Sequence, residues 1–282
     1  MKMKRNEKLG MLTGLVVGVL LLLISVFMIC KVWGAEKPAN ATQQGIDVSS
    51  HQGKIDWEQV KNSALADYAI IRCGYGVNQT DKDDKYWDYN SSECERLGIP
   101  YGTYLYSGAD TTAKARSEAE HVVRLLQGKN LTYPIYYDME ADMLNQLSST
   151  QIGNIAKTFL NTMESYGYKN VAVYSNKYLF ETKLTASVFS DYPKWIAQHS
   201  NKCTYRGSYH MWQYSTQGVI PGISEKVDLN YKIGNWTYAG YSSAKKTVVV
   251  KPKATTIKSL KKSGKKAIKI TYKKVSGVNG YQ

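Results

Sequence analysis

The chain is predicted to be an α/β protein in which about eight strands close into a barrel surrounded by about five helices. Three observations carry that prediction. Between residues 45 and 231 short apolar runs alternate with amphipathic segments, the pattern of parallel strands joined by crossover helices. The last three connections are too short for full helices, which suits a closed barrel better than an open doubly wound sheet. Candidate acidic residues, finally, recur at the ends of separate strands, where a parallel barrel forms its active site.

In chain order, the first element is an uncharged run of 22 residues, 9–30, preceded by Lys2, Lys4, Arg5 and Lys8. That length spans a hydrocarbon core of about 30 Å, and the basic flank predicts a cytoplasmic N-terminus. Residues 1–31 are therefore expected to be a cytoplasmic stub and transmembrane signal-anchor helix, with everything after them outside the cell. A cleaved signal peptide is the competing expectation, with a weak processing site near Gly34 or Ala35. Its usual apolar core of about 7–15 residues is shorter than this run. The domain is exported on either reading, and residues 32–44 read as a polar spacer.

Strands are expected at 45–49, 68–73, 101–106, 133–138, 171–174, 194–197, 210–214 and 227–229, within a barrel domain spanning 45–240. Helices are expected at 56–66, 84–97, 111–126 and 150–166, the last with Ile152, Ile155, Phe159 and Met163 on one stripe. Ser149 or Thr150 is its expected N-cap, and Gly98 and Gly167 are expected to stop the helices before them.

Residues 241–282 read as a basic linker and a β-rich tail. Two strands flank Lys261-Lys-Ser-Gly-Lys-Lys266, and the segment resembles the opening strands of a fibronectin type III-like module, truncated as a third strand begins near 275–281. Residues 242–282 carry 12 Lys and no acid, and residues 1–31 carry five basic residues against Glu7. Removing both from the total of +14 leaves −2 for residues 32–241. A nucleic-acid enzyme keeps its positive charge beside its site, so this distribution argues against one. The Lys-rich tail is expected either to be a solvated face or to meet anionic cell-wall polymers.

Cys30 lies in the membrane segment, which leaves Cys73, Cys94 and Cys203 without metal-ligand spacing. A Cys73–Cys94 disulfide and a pair of buried thiols both stay open. The four His are scattered, so no metal site is expected, although His51 and His199 fall near strand ends. Phosphate-cradling glycine loops and a Gly-x-Ser-x-Gly elbow are absent, which removes nucleotide and serine-hydrolase chemistry; no cofactor is expected.

The chemistry centres on Tyr133-Pro-Ile-Tyr-Tyr-Asp-Met-Glu140. Side chains alternate along a strand, so Asp138 and Glu140 point the same way with Cβ atoms about 6–7 Å apart. Burial and mutual repulsion would separate their pKa values, leaving one acid protonated and one ionised, the division of labour that glycosidic cleavage requires. Asp47 and Asp228 fall at the ends of two other strands, so three strands deliver carboxylates to one mouth. With 23 Tyr and 6 Trp against 4 Phe, aromatic rings are the expected sugar platform. Tyr104, Tyr106, Tyr137, Tyr174, Trp195, Gln198, Trp212 and Gln213 are the candidates for substrate binding, with ordinary core packing as the alternative for each.

Three segments, Gly45-Ile-Asp-Val-Ser-Ser-His-Gln-Gly53, Tyr136-Tyr-Asp-Met-Glu140, and Trp212-Gln-Tyr-Ser-Thr with Gly222-Ile-Ser-Glu-Lys-Val-Asp-Leu-Asn230, resemble the glycoside hydrolase family 25 lysozymes in the right order. The resemblance covers about residues 45–234. It implies a modified TIM-like β/α barrel that cleaves the β-1,4 bond between N-acetylmuramic acid and N-acetylglucosamine in peptidoglycan. It also implies that Glu140 is the general acid and that Asp138, Asp47 and Asp228 are the other active-site acids. The third strand departs from the pattern: Tyr104-Leu-Tyr106-Ser107 stands where many phage-type members carry a His-Phe pair.

The Asp-x-Glu spacing resembles substrate-assisted hydrolases, so Asp138 is expected to orient the substrate's acetamido group, with retention at the anomeric carbon. Glu140 is expected to be held protonated by crowding from Asp138. A catalytically weak wall-binding module on the same barrel, and another barrel glycosidase such as a chitinase, are the alternatives. Intact acids argue against the first, and the missing Asp-x-x-Asp-x-Asp-x-Glu pattern argues against the second.

Overall fold

The computed structural model describes residues 35–236, 257–262 and 268–272. The anchor expected at 9–30, most of the basic linker and the third tail strand lie outside the described residues. Among those described, no helix is long and apolar enough to cross a membrane.

Eight strands close the expected barrel: β1 (Ala41–Val48), β2 (Tyr68–Tyr75), β3 (Tyr101–Tyr106), β4 (Ile135–Asp138), β5 (Val171–Asn176), β6 (Lys194–Ala197), β7 (Met211–Gly218) and β8 (Val227–Ile233). Each strand from β1 to β6 pairs in parallel with the next, whereas β8 runs antiparallel to both β7 and β1. The barrel is thus mixed. Only residues 219–226 lie between β7 and β8, too few for a crossover, so β8 returns as a hairpin and runs antiparallel.

The strand β1 begins inside the expected polar spacer. Gln43 and Gln44 pair with Lys232 and Tyr231 of β8, so two residues that look like linker are ladder residues. The same pairing extends β8 beyond the short strand expected at 227–229.

Six α-helices accompany the strands among the described residues: α1 (Trp57–Ser63), α2 (Trp87–Leu97), α3 (Thr112–Leu125), α4 (Ser149–Ser165), α5 (Lys177–Thr182) and α6 (Val188–Asp191). The last two are single short turns between β5 and β6. Ser148, one residue before the expected cap, starts α4. Its hydroxyl accepts from the Gln151 N–H while the Gln151 side chain accepts from the Ser148 N–H, a reciprocal capping box. Gly98 ends α2 in the left-handed region at φ 67°, as expected.

Burial falls into two layers. Inside the barrel Tyr68, Ile70, Tyr136, Ala172, Trp195 and Met211 pack against one another. Outside it, Ile46, Ile71, Leu105, Ile135 and Val173 belong to one larger cluster with the apolar stripe of α4, where Ile152, Ile155, Phe159 and Met163 are all buried as expected. Cys73 and Cys94 are free buried thiols rather than a disulfide, and burial pushes Cys73 up to about 12.

The aromatic filling makes one glycine indispensable. A Cβ on Gly45 would sit 2.4 Å from the Tyr68 ring, which is itself stacked on Tyr133 at 4.3 Å and cannot retreat. Gly45→Ala is therefore expected to cost about 2 kcal/mol of stability, read as a lowered denaturant midpoint at unchanged slope. A variant as stable as the parent would mean that the ring can move aside.

A separate unit beyond Ser243 contains an antiparallel pair, β9 (Ile257–Lys262) and β10 (Ile268–Tyr272), with Ile270 opposite Leu260. These match the two strands expected in the tail.

Candidate active site

Four carboxyls meet at one rim of the barrel. Asp47 is the penultimate residue of β1 and Asp138 the last of β4, both at C-terminal strand ends. Asp228 is the second residue of the antiparallel β8, so it reaches the same rim from an N-terminal end, correcting the expectation of a C-terminal one. Across the β1–β8 pair Asp47 and Asp228 stand directly opposite each other. Asp138 is flanked in register by Tyr106 on β3 and Tyr174 on β5. The ladder continues one residue past β4, because the Met139 N–H donates to the Tyr174 carbonyl at 2.9 Å. Glu140 therefore keeps the same side as Asp138.

Behind the acids lies a hydrogen-bonded hub. Gln213 donates through Nε2 to both Asp47 oxygens, at 3.3 and 3.1 Å, and to Asp228 Oδ2 at 3.4 Å. Its Oε1 accepts from the Tyr174 hydroxyl at 3.0 Å and from His199 Nε2 at 2.9 Å. Asn230 donates to Asp47 Oδ2 at 2.7 Å and is itself held by Trp195 Nε1 at 2.8 Å. Asp138 differs from Asp47: it is 3% exposed, and its Oδ1 is buried with no hydrogen-bond partner among the described residues.

All four acids are pushed above the ordinary carboxylate range. Burial is the largest cause in each. Asp138 is pushed well above its usual range by burial and then by repulsion from Glu140 and Asp47, with Arg72 opposing. Glu140 is raised by burial and Asp47, with His199 opposing. Asp138 sits deeper while Glu140 is half-buried, and repulsion between them opposes ionisation of both together. Asp47 is raised by burial but pulled back by Asn230 and Gln213. Asp228 is pushed up to about 9 by burial and by Asp47.

A carboxyl raised in the folded state binds its proton more tightly there than in the unfolded chain, so its contribution is complete below the unfolded value of 3.8 and is lost as pH rises through about 9. Asp228→Asn is accordingly expected to flatten the fall in melting temperature between those pH values. An unchanged slope would place the titration elsewhere.

The remaining candidates divide by the direction they face. Tyr104 lies edge-on to Trp195 inside the barrel, with ring centroids 6.3 Å apart. Tyr106 is half-buried beside the acids, and burial, then Asp138 and Glu140, raise its hydroxyl. Trp195 is buried beneath Tyr174 and forms the floor rather than a sugar-facing wall. Gln198 braces its own loop through Thr204.

Two candidates face outward. Tyr137 is fully buried, stacked on Phe159 of α4 at 3.8 Å, with its hydroxyl donating to Glu118 at 2.6 Å. Trp212 is buried in the outer layer and donates to the Gln198 carbonyl at 2.8 Å. The alternation that puts Asp138 and Glu140 on one side puts Tyr137 on the other, and the same holds for Trp212 beside Gln213. His51 is exposed on the 3-10 turn after β1, while His199 joins the hub. Sequence reasoning did not single out Asn230 or Arg72. Asn230 is two residues from Asp228 on one strand, so the same alternation could have found it.

Among the described residues, no group of His, Cys, Asp and Glu could hold a metal ion. Residues 46–223, more than half of the chain, match the family model described as Glycosyl hydrolases family 25. The autolytic lysozyme of Clostridium acetobutylicum is 30% identical over 188 residues, covering 66% of this chain and 55% of the relative. The modular autolysin LytC from Streptococcus pneumoniae, solved in complex with a synthetic peptidoglycan ligand, is 33% identical with a TM-score of 0.61. That alignment covers 67% of this chain and 46% of LytC, so the chain spans about half the length of these two relatives. A family 25 glycosyl hydrolase from Bacillus anthracis shares the fold at 21% identity and a TM-score of 0.63, covering 72% of this chain and 94% of its own. A closed mixed barrel, four acids on one rim and the match over residues 46–223 lead to one assignment: the chain belongs to glycosyl hydrolase family 25.

Proposed function

We propose that this protein is a muramidase that cleaves the β-1,4 bond between N-acetylmuramic acid and N-acetylglucosamine in peptidoglycan. The observation that carries the reading is the pair Asp138 and Glu140 side by side in the mouth, one deep with an unpartnered oxygen and the other half-open to solvent. Autolysins and lysozymes among the relatives, one of them solved with a peptidoglycan ligand, support the substrate class.

At rest burial makes both Asp138 and Glu140 hold their protons more tightly than free carboxyls do. A 2-acetamido sugar brings an amide N–H that needs an acceptor, and Asp138 accepts it more strongly as an anion than as a neutral acid. Substrate binding therefore favours proton loss from Asp138 and proton retention on Glu140. Glu140 then gives its proton to the glycosidic oxygen as the C1–O bond breaks, while the acetamido carbonyl oxygen forms a bond to C1. The Asp138 carboxylate stabilises the cyclic cation so formed. The Glu140 carboxylate next removes a proton from water, which attacks C1 and reopens the ring. Two displacements at C1 give net retention. Asp47 and Asp228, tied through Gln213 and Asn230, hold the rim in place electrostatically.

Tyr104, Tyr106 and Tyr174 form the sugar platform in this reading. An N-terminal membrane anchor would confine the enzyme to wall near the producing cell, and the Lys-rich tail would add affinity for anionic wall polymers. Muropeptides released from purified walls are expected to carry reducing ends on muramic acid, read by mass spectrometry. Glucosamine reducing ends would contradict the assignment.

A further inference from the structure

The buried face of α3 carries a carboxylate that the cleavage chemistry above does not use. Glu118 is fully buried, and its hydrogen-bond partners are three neutral donors. Oε2 accepts from the Tyr137 hydroxyl at 2.6 Å and from the Ser107 hydroxyl at 2.9 Å, while Oε1 accepts from the Gly108 N–H at 2.8 Å. The two hydroxyl oxygens are themselves 2.8 Å apart, which closes a triangle. Each donor lies in or just beyond the end of β3 or β4: Ser107 follows Tyr106, and Tyr137 directly precedes Asp138. Ser107 also donates its backbone N–H to the Asp138 carbonyl at 2.9 Å. Two routes of direct contact thus join Glu118 to Asp138, one through Ser107 and one through Tyr137 to its peptide neighbour. The next residue is clamped as well, since Met139 donates its N–H to the Tyr174 carbonyl at 2.9 Å and accepts the Ser175 hydroxyl at 2.5 Å on its own carbonyl. Burial raises the Glu118 carboxyl, while Tyr137, Gly108 and Ser107 pull it back. A carboxyl enclosed this far is costly unless its lone pairs are filled. Here they are filled from the strand ends that carry the acids.

We infer that Glu118 is a positioning residue for cleavage: from behind the barrel wall it locks Tyr137 and the β3–β4 rim, and so fixes where Asp138 and Glu140 present their carboxyls. This rests on the proposed roles of those two acids. Tyr137 faces outward and Asp138 inward from adjacent residues, so a ring that swings about the strand turns the neighbouring carboxyl with it. Stacking on Phe159 at 3.8 Å fixes the plane of that ring, and Glu118 fixes its tip. A misplacement of about 1 Å at a reacting group can cost about 10²-fold in rate, so a brace that never meets substrate still bears on the chemistry.

The test compares Glu118→Gln, Tyr137→Phe and the double variant with wild type, as initial rates of muropeptide release over a range of wall concentrations. Gln keeps the shape of Glu118 but accepts through one oxygen only and turns an N–H toward a donor; Phe keeps the stack and removes the hydroxyl. Each single variant is expected to lower kcat about tenfold with KM little changed. The double variant should lose little more than either, because both changes break one path. Ile152→Val on α4 is the control: Ile152 is buried outside the hydrogen-bonded path, so the melting temperature should fall while kcat stays near the parent's. Losses in kcat that track melting temperature across all four variants, or that multiply in the double variant, would reduce Glu118 to a structural brace. Should Glu118→Gln fail to fold, parental kcat in Tyr137→Phe overturns the inference by itself. Amide hydrogen exchange without substrate separates this failure from that of the cleavage reading. If wild type released no muropeptides, the roles of Asp138 and Glu140 would fall, while faster exchange at Ser107 and Met139 in Tyr137→Phe than in Ile152→Val would still support the brace on the rim. Equal exchange in those two variants would remove it as well.

Discussion

Glu140→Gln should reduce release of muropeptides from purified walls by about a thousandfold while leaving the fold and the melting temperature near those of the parent. The amide has the shape of the acid but cannot donate a proton to the leaving oxygen or take one from water, and general acid–base catalysis supplies about 10²- to 10⁴-fold. Glu140 is half-buried at the rim, so the neutral side chain meets no new desolvation cost. The loss should appear in kcat with KM little changed, because the proton is needed only as the bond breaks. Parental activity in the variant would remove Glu140 from the reaction and leave the glycan-binding reading of the same barrel.

Asp138→Asn is expected to separate activity from stability. Activity should fall about a hundredfold or more, since the cyclic cation loses its stabilising carboxylate. Stability should rise. Asp138 is 3% exposed, has a buried oxygen without a partner, and is opposed by Glu140 and Asp47 when ionised. Exchanging that carboxyl for an uncharged amide removes the repulsion, so a melting temperature several degrees higher is expected, most visibly at neutral and alkaline pH where the charge would otherwise be forced on. A variant that loses both activity and stability would assign Asp138 a structural role. The stereochemistry of early products gives an independent check: net inversion by NMR would exclude the acetamido route.

Much of this was legible before the chain was folded. Short apolar runs and the stripe of Ile152, Ile155, Phe159 and Met163 locate the strands and the longest helix, since burial leaves its pattern in the sequence. The spacing of Asp138 and Glu140 placed them on one side of a strand end for the same reason. Gln43 and Gln44 look like linker because polar residues partly open to water carry no apolar signal, although their backbones pair.

Local pattern thus determined the eight strands, the order of the acids and the exclusion of nucleotide and serine-hydrolase chemistry. Only closure of the barrel decided the rest. Which face of each strand turns inward depends on all eight strands at once, and this sent Tyr137 and Trp212 to the outer layer. The hairpin into β8 reversed that strand and set Asp228 opposite Asp47, a pairing 181 positions apart that no short window contains. Depth in the mouth made burial, ahead of mutual repulsion, the leading cause that raises both Asp138 and Glu140. Charges respond to burial and to neighbours brought from distant strands, and both exist only once the chain has closed.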